Sequence, residues 1–184
     1  MAAWTTPTPT GLRNVHTRVT DGTLADAARL LESLGTREDR MWPRDRWPRI
    51  RLDQGLAVGS RGGHAGVRYR VLDVEPGRRV RFVFETDSRP VLAGWHEFRV
   101  DPIGDDGLEW THELVLDSPS LQVRTGLIPL HDALLEDLFD QVEVELGQHP
   151  LERPEFTPAI RTLRALLRPA RHKAKSGARV GTAA

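Results

Sequence analysis

The sequence predicts an α+β domain, a run of antiparallel strands with helix packed on one face. Three observations carry this. Pro129 to Leu146, PLHDALLEDLFDQVEVEL, has the periodicity of one long helix. Upstream, five stretches alternate apolar and polar residues with a period of two. Tight-turn signals separate successive strands, so neighbours pair as hairpins.

The long helix is justified residue by residue. Leu130, Leu134, Leu138 and Val142 recur every four positions, with Leu135 and Leu146 beside them, so one apolar stripe faces a core. Asp132, Glu136, Asp140 and Glu143 form a second stripe, read as a solvated face. Pro129 suits the first turn, where its missing N–H costs nothing. Gly147 suits the stop.

Composition narrows the class. The 184 residues suffice for one domain with a sizeable core, and 39% apolar with 28% charged content is ordinary for a water-exposed surface. There is no cysteine, which excludes disulfides, thiolate metal sites and a cysteine nucleophile. No run approaches the ~20 apolar residues that span a bilayer. The lead, MAAWTTPTPTG, has neither a basic n-region nor an apolar h-region, so a cytoplasmic protein is expected. The net charge is zero, but seven of the 26 basic residues and none of the 26 acidic ones lie after Phe156. The first 156 residues therefore carry −7, and an acidic body precedes a basic tail. The expected division is a flexible lead at 1–10, the domain at 11–150, and a basic helix and tail at 151–184.

The first strand is Leu12 to Thr20. Val15, Thr17 and Val19 share one face, and Asn14, His16 and Arg18 the other, a half-buried pattern. Thr23 to Asp26 then reads as a helix cap, and Leu24, Ala27, Ala28, Leu31 and Leu34 give a short helix that Gly35 ends. Met41 to Asp53, MWPRDRWPRIRLD, holds two Trp-Pro pairs. Proline holds the preceding residue extended, so Trp42 and Trp47 cannot both lie in a regular helix. A second short helical turn, a loop and a strand from about Ile50 are expected. The two tryptophans are either a plug at the core edge or an aromatic wall of a ligand pocket.

Gly59 to Gly66 reads as a glycine-rich turn around His64. It lacks the GKS or GKT ending of a phosphate loop. Val67, Tyr69 and Val71 alternate outward of it, and Val80, Phe82 and Phe84 follow Pro76-Gly77, the pattern of a type II turn. Centring that turn places Val71 opposite Phe82 and Tyr69 opposite Phe84. In the next hairpin His96, Phe98 and Val100 share one face. Trp110, His112, Leu114 and Leu116 share a face on its return strand, with Phe98 opposite His112 and His96 opposite Leu114.

Three histidines therefore point toward the space under the long helix. His96 and His112 do so by strand parity, and His131 because it lies one turn before Leu135. Each could orient a ligand carbonyl or phenol, or act as general acid or base. Each could equally be a core histidine bonded to a neighbour. A metal needs three or four converging ligands, and no HExxH or similar spacing is present, so no metal or other cofactor is expected. Ser60, Ser88, Ser118 and Ser120 lack a GxSxG context.

At this point the chain resembles a known family. WPRIRLD, VGSRGGHAGVRYRVLDVEPGRRVRFVFE, GWHEF and the late PLHDALLED helix look like the SRPBCC superfamily of START-like and polyketide cyclase/dehydrase-like proteins, in an uncharacterised bacterial branch. The similarity covers about Gly11 to Gly147. It implies the helix-grip fold: a curved antiparallel sheet wrapped around a long C-terminal helix, with two short helices after the first strand and a hydrophobic cavity between sheet and helix. Members bind lipids, sterols, quinones or polyketides, and some catalyse cyclisation or dehydration. The His-His-Asp iron motif of the related oxygenase domain has no clear match here. Fold and cavity transfer on this resemblance; mechanism does not.

The candidate wall is then Trp42, Trp47, His64, Tyr69, Phe82, Phe84, His96, Phe98, Trp110, His112, His131, Leu135 and Leu138. Binding of a small hydrophobic, ring-containing molecule is the first expectation. A cyclase or dehydratase using His96, His112 or His131 is the second. The third rests on the tail: Ile160, Leu163 and Leu167 form a stripe and Arg161, Arg164 and Arg168 a basic face. That suits a helix drawn to anionic lipid, packing on the acidic body, or an appended surface helix. Peripheral membrane contact through 157–184 belongs to this reading. Nucleic acid is not expected, because the body is acidic.

Overall fold

The computed structural model describes residues 4–150 and 156–167. Eight strands form one antiparallel sheet in the order β1-β2-β8-β7-β6-β5-β4-β3. The strands are β1 (Thr5–Pro7), β2 (Gly11–Asp21), β3 (Arg51–Leu56), β4 (Arg61–His64), β5 (Val67–Glu75), β6 (Arg79–Phe84), β7 (Gly94–Ile103) and β8 (Gly107–Asp117). The helices are α1 (Leu24–Ser33), α2 (Ile128–Glu145) and α3 (Pro158–Leu167). The curved sheet grips α2, and the architecture is the helix-grip α+β fold.

Both expected hairpins form in the expected register. Val71 pairs with Phe82 and Tyr69 with Phe84, with an irregularity between Val71 and Asp73. Phe98 pairs with His112 and His96 with Leu114. Gly77 takes a φ of 68°, which only glycine adopts cheaply, and Arg78 closes the turn onto Glu75. The long helix begins one residue early, after a single wide turn at Val123–Leu127.

Because β2 and β3 lie at different ends of the strand order, α1 and the following loop carry the chain across the sheet. Thr23 and Asp26 cap α1 reciprocally, as the sequence implies. The second short helix is a single turn, in which Arg46 and Trp47 both donate to the Pro43 carbonyl. Proline at 43 and 48 leaves no room for a second. Asp39 organises this loop, accepting backbone N–H bonds from Gly35, Met41 and Trp42 at 2.9–3.0 Å.

Three local readings are corrected. Part of the lead expected to be flexible is an edge strand: Thr5–Pro7 pairs with Leu12–Asn14, and Trp4 packs on the His16 ring at 4.4 Å. The glycine-rich turn contains strand β4, which pairs with both β3 and β5. A Cβ on Gly62 would lie 1.8 Å from the Arg51 carbonyl oxygen, so the glycine serves close strand approach.

The third correction concerns β2 and α2. The face of β2 that is buried is the polar one: Asn14 and His16 are fully buried, while Val19 is 59% exposed. The acidic stripe of α2 is not solvated but lies against that face. Arg18 binds Glu136, Asp140 and Glu143 at 3.0, 3.4 and 2.7 Å. His16 bonds Glu136 through Nδ1 and Asp132 through Nε2, at 3.0 and 3.1 Å. Charge pairing thus sets how α2 lies on β2, while its leucines face the rest of the sheet.

Candidate functional site

Between α2 and the β4–β8 part of the sheet lies a cavity of about 200 Å³. Strand parity builds one wall: His96 and Phe98 from β7, His112, Leu114 and Leu116 from β8, Tyr69 and Val67 from β5, His64 from β4. The helix supplies Leu130, His131, Leu134 and Leu135. The loop supplies Trp42, Trp47, Pro48 and Ile50, so the two tryptophans are an aromatic wall. Phe84 from β6, Ala65, Pro90 and Leu92 from turns and loops, Leu127 before α2 and Leu167 at the end of α3 complete the lining.

Three of the expected lining residues are elsewhere. Phe82, Trp110 and Leu138 have the right parity but sit in filled core. Phe82 lies under the His96 ring, 4.8 Å away and nearly parallel. Trp110 donates its indole N–H to Thr20 at the opposite end of β8. Leu138 lies a turn beyond Leu134 and is fully buried. Alternation gives the face of a strand but not the depth along it.

The histidines form a file. His96 stacks on Phe82 and Phe84 and meets Tyr69 edge-on at 5.0 Å. Its Nδ1 lies 3.4 Å from Nε2 of His112, a hydrogen bond. The His112 ring lies 5.0 Å from His131, whose ring is 6.1 Å from His16. His64 sits apart, 4.7 Å from Trp42.

The file splits electrostatically. Burial, reinforced by the neighbouring imidazoles, holds His96 and His112 well below the ordinary histidine range. Burial likewise lowers His64 to about 4. His131 is lowered by burial, against the pull of Asp132. His16 goes the other way. Burial opposes its charge, but the bonds from Asp132 and Glu136 outweigh burial and raise it. Burial opposes the Asp132 charge too, yet His131, His16 and Asn14 hold that carboxyl far below the usual carboxylate range.

Among the described residues, four buried polar atoms of the wall residues have no hydrogen-bond partner: Tyr69 Oη, His96 Nε2, His112 Nδ1 and His131 Nδ1, the last 4.0 Å from an Asp132 oxygen. Burial raises the Tyr69 phenol well above its usual value, so it stays a neutral donor. An unpaired buried polar atom costs about 1–3 kcal/mol. Apart from these residues and His64, the wall is aromatic and aliphatic.

His16, His131 and Asp132 place ligand-type atoms within 4.8 Å of one another. The charges there argue against an ion. Both His16 nitrogens face carboxylate oxygens, which only accept, so both carry protons and neither offers a lone pair.

Sequence reasoning missed Asp137. It is 3% exposed and accepts from Trp47 Nε1 at 2.7 Å, from Arg46 at 2.8 Å and from Arg164 at 2.7 Å. It therefore ties the tryptophan loop, α2 and α3 together beside the cavity. Of the basic face expected for the tail, Arg164 is spent on this contact; Arg168 and everything after it lie outside the described residues. Leu163 is 41% exposed, whereas Ile160 and Leu167 pack on the core. No described helix is long and apolar enough to cross a membrane.

No family model and no curated protein matches the sequence. Solved structures do resemble the fold. CalU16 from Micromonospora echinospora superposes with a TM-score of 0.54 at 16% identity, covering 89% of this chain and 91% of that one. A protein from Thermobifida fusca gives 0.58 at 14%, covering 77% and 99%. The EF2215 protein from Enterococcus faecalis gives 0.58 at 14%, covering 88% and 87%. At these identities the likeness shows a shared fold.

Proposed function

We propose that this chain is an SRPBCC-type helix-grip protein that binds a small, uncharged, ring-containing molecule between α2 and the sheet. The observation that carries the reading is the cavity of about 200 Å³, walled by aromatic and aliphatic side chains and holding buried polar atoms without partners. An apolar cavity of about 150 Å³ stays dry and takes up benzene, so this space suits one ring with a short substituent. Burying such a ring gains about 25 cal/mol per Å² of apolar surface. Where a small side-chain shift uncovers Tyr69 Oη or a nitrogen of His96, His112 or His131, a polar group on the ring that bonds it recovers what that atom forfeits when unpaired.

Binding is favoured over acid–base catalysis for a specific reason. A general base works best with a pKa near the operating pH. Burial puts His96 and His112 well below that and lowers His131 as well, which makes them neutral anchors and weak bases. A cyclase or dehydratase would have to raise one of them on substrate binding.

Native mass spectrometry of freshly purified protein, followed by denaturing extraction, tests the reading. A co-purifying neutral small molecule, or uptake of an added aromatic compound at one per chain, is the expected result. Apo protein that takes up none of a panel of one-ring and two-ring compounds would overturn it.

A further inference from the structure

His131 and Asp132 stand where two faces of α2 meet. Consecutive helix residues diverge by about 100°. Asp132 turns to β2, where its Oδ1 accepts from Asn14 at 2.8 Å and bonds His16 at 3.1 Å, while His131 lines the cavity. The two nitrogens of His131 differ. Nδ1 is buried and lies 4.0 Å from Asp132 Oδ1, too far for a hydrogen bond. Nε2 is neither buried nor bonded to any described residue, and 16% of the side chain is accessible. This nitrogen needs no side-chain shift to meet a ligand. Burial keeps the imidazole neutral, so one nitrogen carries a proton and the other a lone pair. Asp132 decides which. Its neighbours hold it charged. A lone pair on Nδ1 would face that charge across a weakly screening interior, whereas an N–H is attracted to it. His16 carries the opposing charge, but its ring is further off, at 6.1 Å. The proton therefore sits on Nδ1, and Nε2 is bare.

We propose that Nε2 of His131, its tautomer fixed by Asp132, is the cavity's acceptor for a neutral ring that carries an O–H or N–H donor, of the phenol or carboxamide class. The inference rests on reading the cavity as a ligand site. The other wall histidines lack a fixed, open acceptor. The nitrogens of His96 and His112 either bond each other or are buried. Among the described residues no carboxylate is hydrogen-bonded to His64, so either of its tautomers is available. An ether or ketone offers only lone pairs, which a bare Nε2 repels. A phenol offers the missing proton and keeps its ring against the aromatic wall.

The test compares p-cresol with its isomer anisole, which has the same atoms but no donor. Benzamide, which donates through its N–H, and isopropylbenzene, which has no polar group, complete the set. Each is titrated into the full chain carrying ¹⁵N-labelled histidine. p-Cresol is expected to bind at least about tenfold more tightly than anisole, a difference of about 1.4 kcal/mol. The ¹⁵N spectrum of the free chain should show His131 protonated at Nδ1 and bare at Nε2. p-Cresol and benzamide should move that Nε2 resonance, and anisole and isopropylbenzene should not. His131→Phe should bring the p-cresol and anisole affinities together. Asp132→Asn should populate the other His131 tautomer, read in the same spectrum, and narrow the difference. A proton on Nε2 in the free native chain would overturn the acceptor site and leave the cavity reading standing. So would equal binding of p-cresol and anisole, or a p-cresol or benzamide complex with Nε2 unmoved. Failure of all four probes to bind would overturn the cavity reading and this inference together.

Discussion

Trp47 donates its indole N–H to Asp137 across 2.7 Å, and the carboxylate that receives it is almost wholly buried. The tryptophan walls the cavity and the aspartate stands on the helix behind it, so one bond fixes the loop to α2. Asp137→Ala should leave the indole N–H and two guanidinium groups without their acceptor. A destabilisation of about 3 kcal/mol is expected, of the size seen when one member of a buried pair is removed. Asp137→Asn should cost less, because the amide oxygen still accepts from Trp47. Urea unfolding followed by tryptophan fluorescence measures both.

Arg164 reaches the same carboxylate from α3, and Leu167 one turn later touches the cavity. Arg164→Ala should therefore loosen α3 more than it destabilises the domain. Stability should fall by about 1 kcal/mol or less, since Arg164 is partly solvated. Release of bound isopropylbenzene, followed by NMR exchange, should become about tenfold faster. An unchanged release rate would remove α3 from the account of access.

The registers of both hairpins were legible, because alternation and one turn residue fix them: Tyr69 faces Phe84 and Phe98 faces His112, as the pattern requires. The buried face of β2 was not. Val15, Thr17 and Val19 look like the inward set, yet Asn14, His16 and Arg18 are the residues covered. Hydrophobicity ranks single residues and cannot see that Arg18 and His16 meet four acids more than a hundred positions away. The signal available was the match between a basic strand face and the acidic stripe of α2. Asp137 was hidden for a related reason. It stands among acids and toward the core side, where an isolated carboxylate is not expected without a partner.

Stability should depend on pH with opposite slopes on the two sides of about pH 6.5, the ordinary histidine value. His16 is raised in the folded chain, so its contribution is complete below about 6.5 and is lost as pH rises through the folded value. His64, His96 and His112 are lowered, so the unfolded chain takes up their protons first as pH falls below about 6.5. The part of that loss due to His64 runs down to about pH 4. Each such group contributes a slope of about 1.4 kcal/mol per pH unit within its window. Unfolding free energies across this range should show the steeper loss on the acid side. His64→Phe should make that side shallower, and His16→Asn should flatten the alkaline side.

Filling the cavity should separate binding from folding. Leu134 lines it and is 6% exposed. Leu134→Phe should place a ring in existing space, changing stability by less than about 1 kcal/mol and weakening benzamide binding at least about tenfold. Leu134→Ala should enlarge the space and cost about 2–5 kcal/mol. Calorimetric melting and ligand titration on the same samples distinguish the two effects.

The most direct measurement is a methyl-resolved NMR titration of the native chain with benzamide. Saturable shifts confined to the methyl groups that line the cavity, those of Leu114, Leu130, Leu134 and Leu135 among them, are predicted, with those of the filled core around Leu31, Leu34 and Val142 unmoved. Shifts spread over exposed side chains such as Leu121 and Leu166, or none at all, would contradict the cavity as a ligand site.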